Sequence, residues 1–395
     1  MAVQQTTGEC RIASGGEQAL EHALRRALNG NYRQAAITLS QCVDEETVPV
    51  SLQSALLALC AGREGEIIES RRHAATALEA LYEDDRTALA VDLARSMAWF
   101  EYATGAFVPA SEYLERARTL AARTGLTHWN HMICTALGHL AVTTGAIQEA
   151  VQLLSTGYCE RVPCRWAHIA ASIELGLLTG DGDLVRAHSS LELVAQAFAS
   201  GRYFEGYAIA AAIATAWRHG VVEIDAVSMM KLVLRAQADP LAAFEVLVDV
   251  AAHGAPADAA EAALLLQSAF RSPQQEMLGA CVQLANAYRY MSTQHRSKGA
   301  EYGAEAARAF KSIGAVAYQQ RAMDALVRTS ASFVMGSESD HRLTKRQRQV
   351  LVMLRAGHRN RDIAQTLGIA EHTVERHVSV ILDELHLRSR WQLVD

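Results

Sequence analysis

The sequence has little proline and few aromatic residues, with six prolines and 6% aromatics among 395 residues. Alternating β-branched runs, which are typical of strands, are scarce, whereas Ala and Leu recur every three or four positions. These features argue against a β-rich protein and predict an all-α chain. The seven cysteines are odd in number and scattered, which favours reduced thiols over a disulfide framework.

The sequence motifs of common enzymes and of membrane proteins are also missing. We find no P-loop, no dinucleotide-binding G-x-G-x-x-G after a strand, no G-x-S-x-G and no H-E-x-x-H. The N-terminus does not resemble a signal peptide, and the most apolar stretch (207–217) is too short to cross a bilayer. We therefore expect a cytoplasmic protein that is not an enzyme, with no cofactor and no membrane partner.

The segment CERVPCRWAH (159–168) places Cys159, Cys164 and His168 close together in sequence. Their spacing matches no common zinc pattern. We expect buried thiols here and no metal site.

Charge is distributed unevenly along the chain. The formal net charge is −6, but residues 341–395 hold ten Lys and Arg against six Asp and Glu, a net of +4 that leaves −10 for residues 1–340. This asymmetry predicts a nucleic-acid-binding module on an acidic body, although a chance local excess of Arg gives the same balance. The stretch VMGSESDH (334–341) is small and polar and suits a linker between the two.

A short motif recurs through most of the acidic region: Gly, any residue, a bulky residue, two of any kind, then a small residue. Successive copies up to Gly220 are 35 to 40 residues apart. The copies are GNYRQA (30–35), GEIIES (65–70), GAFVPA (105–110), GAIQEA (145–150), GDLVRA (182–187), the degraded GVVEID (220–225) and GAPADA (254–259).

We interpret each copy as the joint of an antiparallel helix pair. The Gly ends the first helix in a left-handed conformation, and the small residue lets the second helix cross closely. One pair cannot bury its own apolar face, so pairs stack into a solenoid. The pattern resembles tetratricopeptide repeats (TPR), but its spacing is looser than the usual length of about 34 residues, and we call it TPR-like. An irregular helical bundle is the alternative.

Aromatic residues concentrate in the middle of this region. Solenoids usually present a concave surface to a partner, so these side chains are candidates for a ligand or partner surface. The alternative is that they form core between the repeats. The candidates are Trp99, Tyr102, Trp129, Trp166, Tyr203, Tyr207 and Trp217.

Local signals become dense from Leu343 onward. Thr344 and Gln347 form a capping box that opens a helix, and Asn360 is a candidate cap for a second helix. Gly368 provides a sharp turn into a third helix, and a short fourth helix, SRWQLVD, ends the chain. The third helix is expected to turn inward Val374, Val378, Ile381, Leu382 and Leu385.

This order of residues resembles the LuxR-type (GerE-type) helix-turn-helix domain. The matching blocks are LTKRQRQVL (343–351), GHRNRDIAQTLGI (357–369), TVERHVSVI (373–381) and LHLRSR (385–390). The resemblance implies a four-helix domain whose third helix enters the major groove of DNA. Large LuxR-type regulators also carry helical repeats before this domain, with an N-terminal ATPase that this sequence lacks, so ATP-gated switching is not expected.

The resemblance also implies the residues that contact DNA. Glu375, Arg376 and Ser379 are expected to face base edges. Each alone is also compatible with a solvated surface residue. The residues expected to contact the DNA backbone or to supply charge near it are Thr344, Lys345, Arg346, Arg359, Asn360, Arg361, Thr373, His377, Arg388 and Arg390.

Three positions depart from the family pattern. The family usually has Lys at Glu375, often Lys at Glu384, and commonly a Ser cap at Ala370. A carboxylate at position 375 can accept a hydrogen bond from cytosine N4; alternatively, Glu371 and Glu375 neutralise Arg376 and weaken binding. Losing the Ser cap should cost about 0.5–2 kcal/mol.

We therefore predict four segments: a flexible N-terminus (1–16), a TPR-like sensor or interaction domain (17–331), a linker (332–341) and a LuxR-type domain (342–395), with the helix-turn-helix at about 361–380. The predicted function is sequence-specific regulation of transcription, as an activator that binds double-stranded DNA as a homodimer. A small molecule, peptide or protein would act at the repeats, and RNA polymerase is a candidate partner. The alternative is an interaction adaptor or anti-activator with a weakened helix-turn-helix.

Overall fold

The computed structural model shows an all-α protein, with twenty helices and no strand among the residues that it describes. None of the helices in that part of the chain is long and apolar enough to span a membrane. The described residues are 15–28, 37, 49–158, 165–200, 202–235, 241, 243–291, 295–334, 343–355 and 358–384.

Seventeen of these helices form the larger part of the molecule, which we call the body (residues 15–334). They are α1 (Gly15–Leu28), α2 (Val50–Arg63), α3 (Ile67–Glu83), α4 (Thr87–Thr104), α5 (Phe107–Arg123), α6 (Thr127–Thr144), α7 (Ile147–Gly157), α8 (Arg165–Thr179), α9 (Gly182–His188), α10 (Leu191–Ala199), α11 (Tyr203–Arg218), α12 (Ala226–Arg235), α13 (Phe244–His253), α14 (Pro256–Ala269), α15 (Glu276–Met291), α16 (Arg296–Ser312) and α17 (Val316–Val334).

Neighbouring helices of the body pack as antiparallel pairs, including α2 with α3, α4 with α5, α6 with α7, and α15 with α16. At four of the joints the repeat motif correctly predicts a left-handed glycine: φ is +78° at Gly65, +80° at Gly105, +83° at Gly145 and +71° at Gly220. The predicted helix-pair packing is therefore confirmed for this part of the chain. The closer assignment to TPR-like repeats remains a prediction.

Two copies of the motif are placed differently from the prediction. In the fifth copy the left-handed residue is Gly180, and Gly182 is instead the first residue of α9. The reason is the Asp181 side chain, which accepts hydrogen bonds from two amides of α9 and fixes the start of that helix. At Gly254 the backbone is extended, with φ −71° and ψ 167°.

The late helices of the body contact the early ones. The α15 helix packs on α4, and α17 packs on α6. Ile313 and Val316 lie against the joint glycines Gly105 and Gly145, respectively. Helix α13 is buried along residues 244–251, which is typical of a helix at the centre of a domain. The chain's own late helices therefore cover part of the surface of α4 and α6.

Two predicted boundaries differ from the ends of helices. Helix α1 begins at Gly15, inside the predicted flexible segment 1–16. Helix α17 continues to Val334, so the first three residues of the predicted linker 332–341 are helical. Cys159 and Cys164 lie outside the described residues.

Candidate nucleic-acid interface and a cavity in the body

The C-terminal module begins with helix α18 (Lys345–Arg355), which starts as predicted. The Thr344 backbone N–H donates to Gln347 Oε1 at 2.7 Å, and the Gln347 backbone N–H donates to Thr344 Oγ1 at 3.2 Å. These reciprocal bonds satisfy two amides that a helix start otherwise leaves without partners. The capping box predicted from the sequence is confirmed.

Helix α19 (Asn360–Leu367) differs from the prediction at its first residue. Arg359, not Asn360, occupies the N-cap position, and its carbonyl accepts the first helical hydrogen bond from the Ile363 N–H at 3.0 Å. Asn360 is thus the first residue inside the helix. Gly368 ends α19 with φ +68°, which confirms the predicted turn.

Helix α20 (Glu371–Glu384) presents one apolar and one polar face. Val374 and Ile381 are buried against α18 and α19, while Val378 and Leu382 are partly buried. The 3.6-residue period turns the opposite face outward. The three residues predicted to read bases, Glu375, Arg376 and Ser379, are all exposed there; Thr373 and His377, at the edge of that face, are half-buried.

The charged side chains that the structure describes on the outer face of α20 lie at the surface and are not paired with one another. No ion pair joins Arg376 to Glu371 or Glu375 among the described side chains. Burial, together with the positive charges of Arg346 and Arg376, lowers the pKa of His377. His377 is therefore neutral near pH 7 and adds no positive charge to this face.

The predicted backbone-contacting residues occupy different environments. Thr344, Lys345, Arg359 and Arg361 are exposed, and Asn360 is half-buried. Arg388, Arg390 and Leu385, with the predicted fourth helix, lie outside the described residues.

Arg346 is engaged inside the module. Its guanidinium donates to the Leu367 carbonyl at 2.5 Å and to Gln349 Oε1 at 2.9 Å, and burial lowers its pKa. It therefore ties α18 to the end of α19, in addition to placing a positive charge beside His377.

The module packs on the end of the body through its first two helices. Helix α18 contacts α17, and α19 contacts α16. Lys311 of α16 donates to the Gln365 carbonyl, and Gln319 of α17 donates through Nε2 to the Thr366 carbonyl at 3.3 Å. This packing leaves the outer face of α20 exposed.

Comparison with known families identifies this module. Residues 341–395 match the model of the luxR family of bacterial regulatory proteins. The C-terminal module is thus a LuxR-family helix-turn-helix domain, as the four sequence blocks predict, and the body lies outside the match. No curated protein sequence matches the chain significantly.

The body contains a cavity of about 160 Å³ between α4, α6, α8, α11 and α13. Four of the predicted aromatic residues, Trp99, Tyr102, Trp166 and Tyr207, line it.

The other three predicted aromatic residues are placed elsewhere. Trp129 is buried beside the cavity, with the Arg95 guanidinium 5.5 Å from its ring centre. The rings of Trp217 and His253 pack with their centres 5.0 Å apart, and Trp217 does not line the cavity. The side chain of Tyr203 lies outside the described residues.

A buried polar network in the wall of the cavity was not predicted from the sequence. Glu245 Oε1 accepts from the hydroxyls of Tyr102 and Tyr318, each at 2.7 Å, and lies 3.0 Å from His139 Nε2. The other ring nitrogen of His139 lies 2.9 Å from Glu174 Oε1. Both nitrogens face carboxylates, which an imidazolium alone satisfies with two N–H donors.

The pKa values in this network follow from its geometry. Burial alone would lower the pKa of His139, but the carboxylates of Glu245 and Glu174 outweigh it and hold that pKa well above its ordinary value. Burial alone would raise the pKa of Glu245, but the His139 charge and its hydrogen bonds outweigh it, and the pKa of Glu245 is lowered. Both groups are therefore charged at neutral pH.

A second buried ionic group, one carboxylate between two arginines, lies one turn further along α13. Asp249 Oδ1 accepts from Arg218 at 3.0 Å and from Arg321 at 2.5 Å. Helix α17 thus contributes both Tyr318 and Arg321 to the carboxylates of α13. The signal for these residues in the sequence is single charged side chains inside apolar runs, such as FEVLVDV (244–250).

Proposed function

We propose that the chain is a transcriptional regulator that binds double-stranded DNA sequence-specifically, with α20 in the major groove. The observation that carries this proposal is the exposed face of α20, which presents Glu375, Arg376 and Ser379 on a LuxR-type domain. A recognition helix needs one face buried on its neighbours and one face free to reach base edges. The packing of α20 on α18 and α19 meets both needs.

Each residue of this face has a role that suits its chemistry. Arg376 donates to the O6 and N7 atoms of guanine, and Glu375 accepts from cytosine N4. Thr344, Lys345, Arg359, Asn360 and Arg361, with the start of α19, contact phosphates. His377 and Thr373 flank the reading face; Arg346, Arg388 and Arg390 add nearby charge.

The body, in this proposal, is a TPR-like sensor that controls access of the LuxR-type domain to DNA. Residues 1–340 carry a net charge of −10, which opposes DNA, and the α16 and α17 helices of the body hold the domain by the contacts of Lys311 and Gln319. An effector changes that packing. The regulator acts as a homodimer on paired half-sites and activates transcription through RNA polymerase.

The test is selection from randomised duplex DNA by the full-length protein at two salt concentrations, followed by sequencing of the bound pool. We expect an enriched motif with two related half-sites, which Arg376→Ala abolishes. Arg348→Ala is the matched control, since Arg348 is an exposed arginine of α18 outside the proposed contacts. Absence of any enriched sequence at either salt concentration would contradict the proposal.

The second candidate function is an interaction adaptor or anti-activator. The observation that favours it is the acidic character of the outer face of α20, where Glu371 and Glu375 are both exposed. Both residues lower the affinity for a polyanion. The double variant Arg376→Ala with Thr373→Ala separates the two functions in a reporter assay, because an adaptor keeps its activity and a DNA-reading regulator loses it.

A further inference from the structure

The cavity in the body has the walls of a small-molecule site. Trp99, Trp166, Phe204 and Tyr207 form aromatic walls, and much of the remaining surface is provided by alanines such as Ala170. Protein interiors rarely keep voids larger than a water molecule, because an empty void loses packing energy. An engineered apolar cavity of about 150 Å³ binds benzene, so the volume here suits a molecule with one ring.

The charged side chains around the cavity determine which sign of charge a ligand should carry. Four carboxylates and two cations line it, which gives an excess of two negative charges when all are ionised. An anion would have to overcome this excess, whereas a cation would reduce it and would also be attracted by the aromatic faces. The charged residues of the lining are Asp92, Arg95, His139, Glu174, Glu205 and Glu245.

Most of these charged side chains already pair with a group of opposite charge, but one carboxylate pairs through only one of its two oxygens. Arg95 is 3.1 Å from Asp92 and 3.8 Å from Glu205, and His139 bridges Glu174 and Glu245. Glu174 uses only Oε1 for that bridge. Its Oε2 atom is buried and has no hydrogen-bond partner among the described residues. A buried carboxylate oxygen without a donor is costly and suits a ligand that brings one.

We propose that this cavity binds a small primary amine with a single aromatic ring, whose ammonium group donates to Glu174 Oε2 and whose ring packs against the aromatic walls of the cavity. This inference rests on the proposed function in one respect: it assigns the cavity as the effector site of the regulator. Amine binding itself does not require that the chain bind DNA.

The position of the cavity connects it to the LuxR-type domain through α17. Glu174 is linked by His139 to Glu245, and Glu245 accepts from Tyr318 of α17. The next residue, Gln319, donates to the Thr366 carbonyl of α19. An ammonium on Glu174 weakens the hold of that carboxylate on His139, and the change reaches the helix that holds the LuxR-type domain.

Isothermal titration calorimetry of the full-length protein, without DNA, tests the site. The probes are 2-phenylethylamine, 2-phenylethanol and phenylacetate, which share a ring and differ in charge. We expect saturable 1:1 binding of the amine, at least tenfold tighter than that of the alcohol, and no binding of the acid. Binding of the acid or the alcohol as tightly as the amine, or no binding of any probe, would overturn the proposal.

Variants assign the ammonium to Glu174. Glu174→Gln keeps the shape of the side chain and should weaken amine binding at least tenfold while leaving the alcohol unchanged. Glu149→Gln is the matched control, because Glu149 is exposed on α7 and does not line the cavity. Equal amine affinity in wild type and Glu174→Gln would also overturn the proposal. Because DNA is absent, this outcome is independent of the selection experiment, which alone decides the proposed function.

Discussion

The body buries several of its charged side chains, whereas the LuxR-type domain keeps its charged side chains at the surface. The body buries carboxylates on its central helix α13 and pairs them with groups from α4, α6, α11 and α17. The LuxR-type domain buries almost only apolar residues and keeps Arg359, Arg361, Glu375 and Arg376 at its surface. Charge in the body therefore fixes which helices meet, and charge in the LuxR-type domain is available to a partner.

The largest effect should follow from removing the buried carboxylate of Asp249 on α13, which pairs with two arginines. Asp249→Ala leaves Arg218 and Arg321 facing each other without an anion, and it should cost the body about 3–5 kcal/mol of unfolding free energy. Urea denaturation measures this. Asp183→Ala, which removes an exposed ion pair with Arg186, is the control and should change stability little. Similar losses in the two variants would mean that the buried pair contributes no more than a surface pair.

The next effect concerns pH. The pKa of Glu245 is lowered in the folded state, so its contribution is present above its ordinary value of 4.5 and is lost as pH falls below it. The pKa of His139 is raised, so its contribution is complete below 6.5 and is lost as pH rises through the folded value. The network should therefore stabilise the body most between about pH 4.5 and 6.5.

The pH prediction is checked by urea denaturation of wild type and of the double variant Glu245→Gln with His139→Gln across pH 4 to 9. The difference in stability should be largest inside that window and shrink on both sides. A constant difference would show that the network contributes through packing and not through ionisation.

In the LuxR-type domain the expected effects are smaller, because they concern helix ends. Thr344→Ala removes one half of the capping box and should destabilise α18 by about 0.5–2 kcal/mol. Hydrogen exchange of the full-length protein measures this as faster exchange of the amides of residues 345–355. The exposed substitution Thr119→Ala on α5, which removes a hydroxyl within a helix, is the control; an equal effect there would remove the special role of the cap.

A gain of similar size should come from Ala370→Ser. Ala370 precedes the first residue of α20, and its carbonyl accepts from the Thr373 N–H at 2.9 Å, so a Ser hydroxyl at this position can accept from an amide of the first turn. Exchange of the amides of residues 371–384 should slow by up to about tenfold, which corresponds to about 1.4 kcal/mol. No slowing would contradict the assignment of Ala370 as the cap.

The smallest effect should appear at the contact between the two regions. Lys311→Ala removes one donor to the carbonyl of Gln365, an exposed contact worth about 1 kcal/mol or less. Exchange at residues 360–367 should rise slightly, whereas Lys231→Ala, an exposed lysine of α12, should leave it unchanged. A larger rise would mean that the body holds the LuxR-type domain more tightly than these hydrogen bonds indicate.

The two regions also differ in how far the sequence predicts them. In the LuxR-type domain the capping box at Thr344, the turn at Gly368 and the inward valines of α20 follow from signals within a few residues of each site. Among the residues of this domain that the structure describes, the local error is Asn360 in place of Arg359 as the cap, a shift of a single residue. Such shifts are common because neighbouring polar residues compete for the cap position.

In the body, local signals predict the helix pairs but not which pairs meet. Glu245 joins Tyr102, 143 residues earlier, to Tyr318, 73 residues later, and no spacing rule connects them. The aromatic cluster predicted four residues of the cavity lining, but Trp217 packs elsewhere. The number of aromatic residues in a segment does not tell which way each side chain points. His139, Glu174 and Glu245 are visible in the sequence only as charges in apolar helices, where burial requires a partner.

Whether the outer face of α20 reads DNA sequence is best decided by the affinity of wild type, Arg376→Ala and Arg348→Ala for one selected duplex and for a scrambled duplex. We expect Arg376→Ala to reduce the preference for the selected duplex by about 1–3 kcal/mol and to leave binding to the scrambled duplex close to that of Arg348→Ala. If both variants weaken binding to both duplexes equally, Arg376 contributes only charge and α20 does not read sequence through this residue.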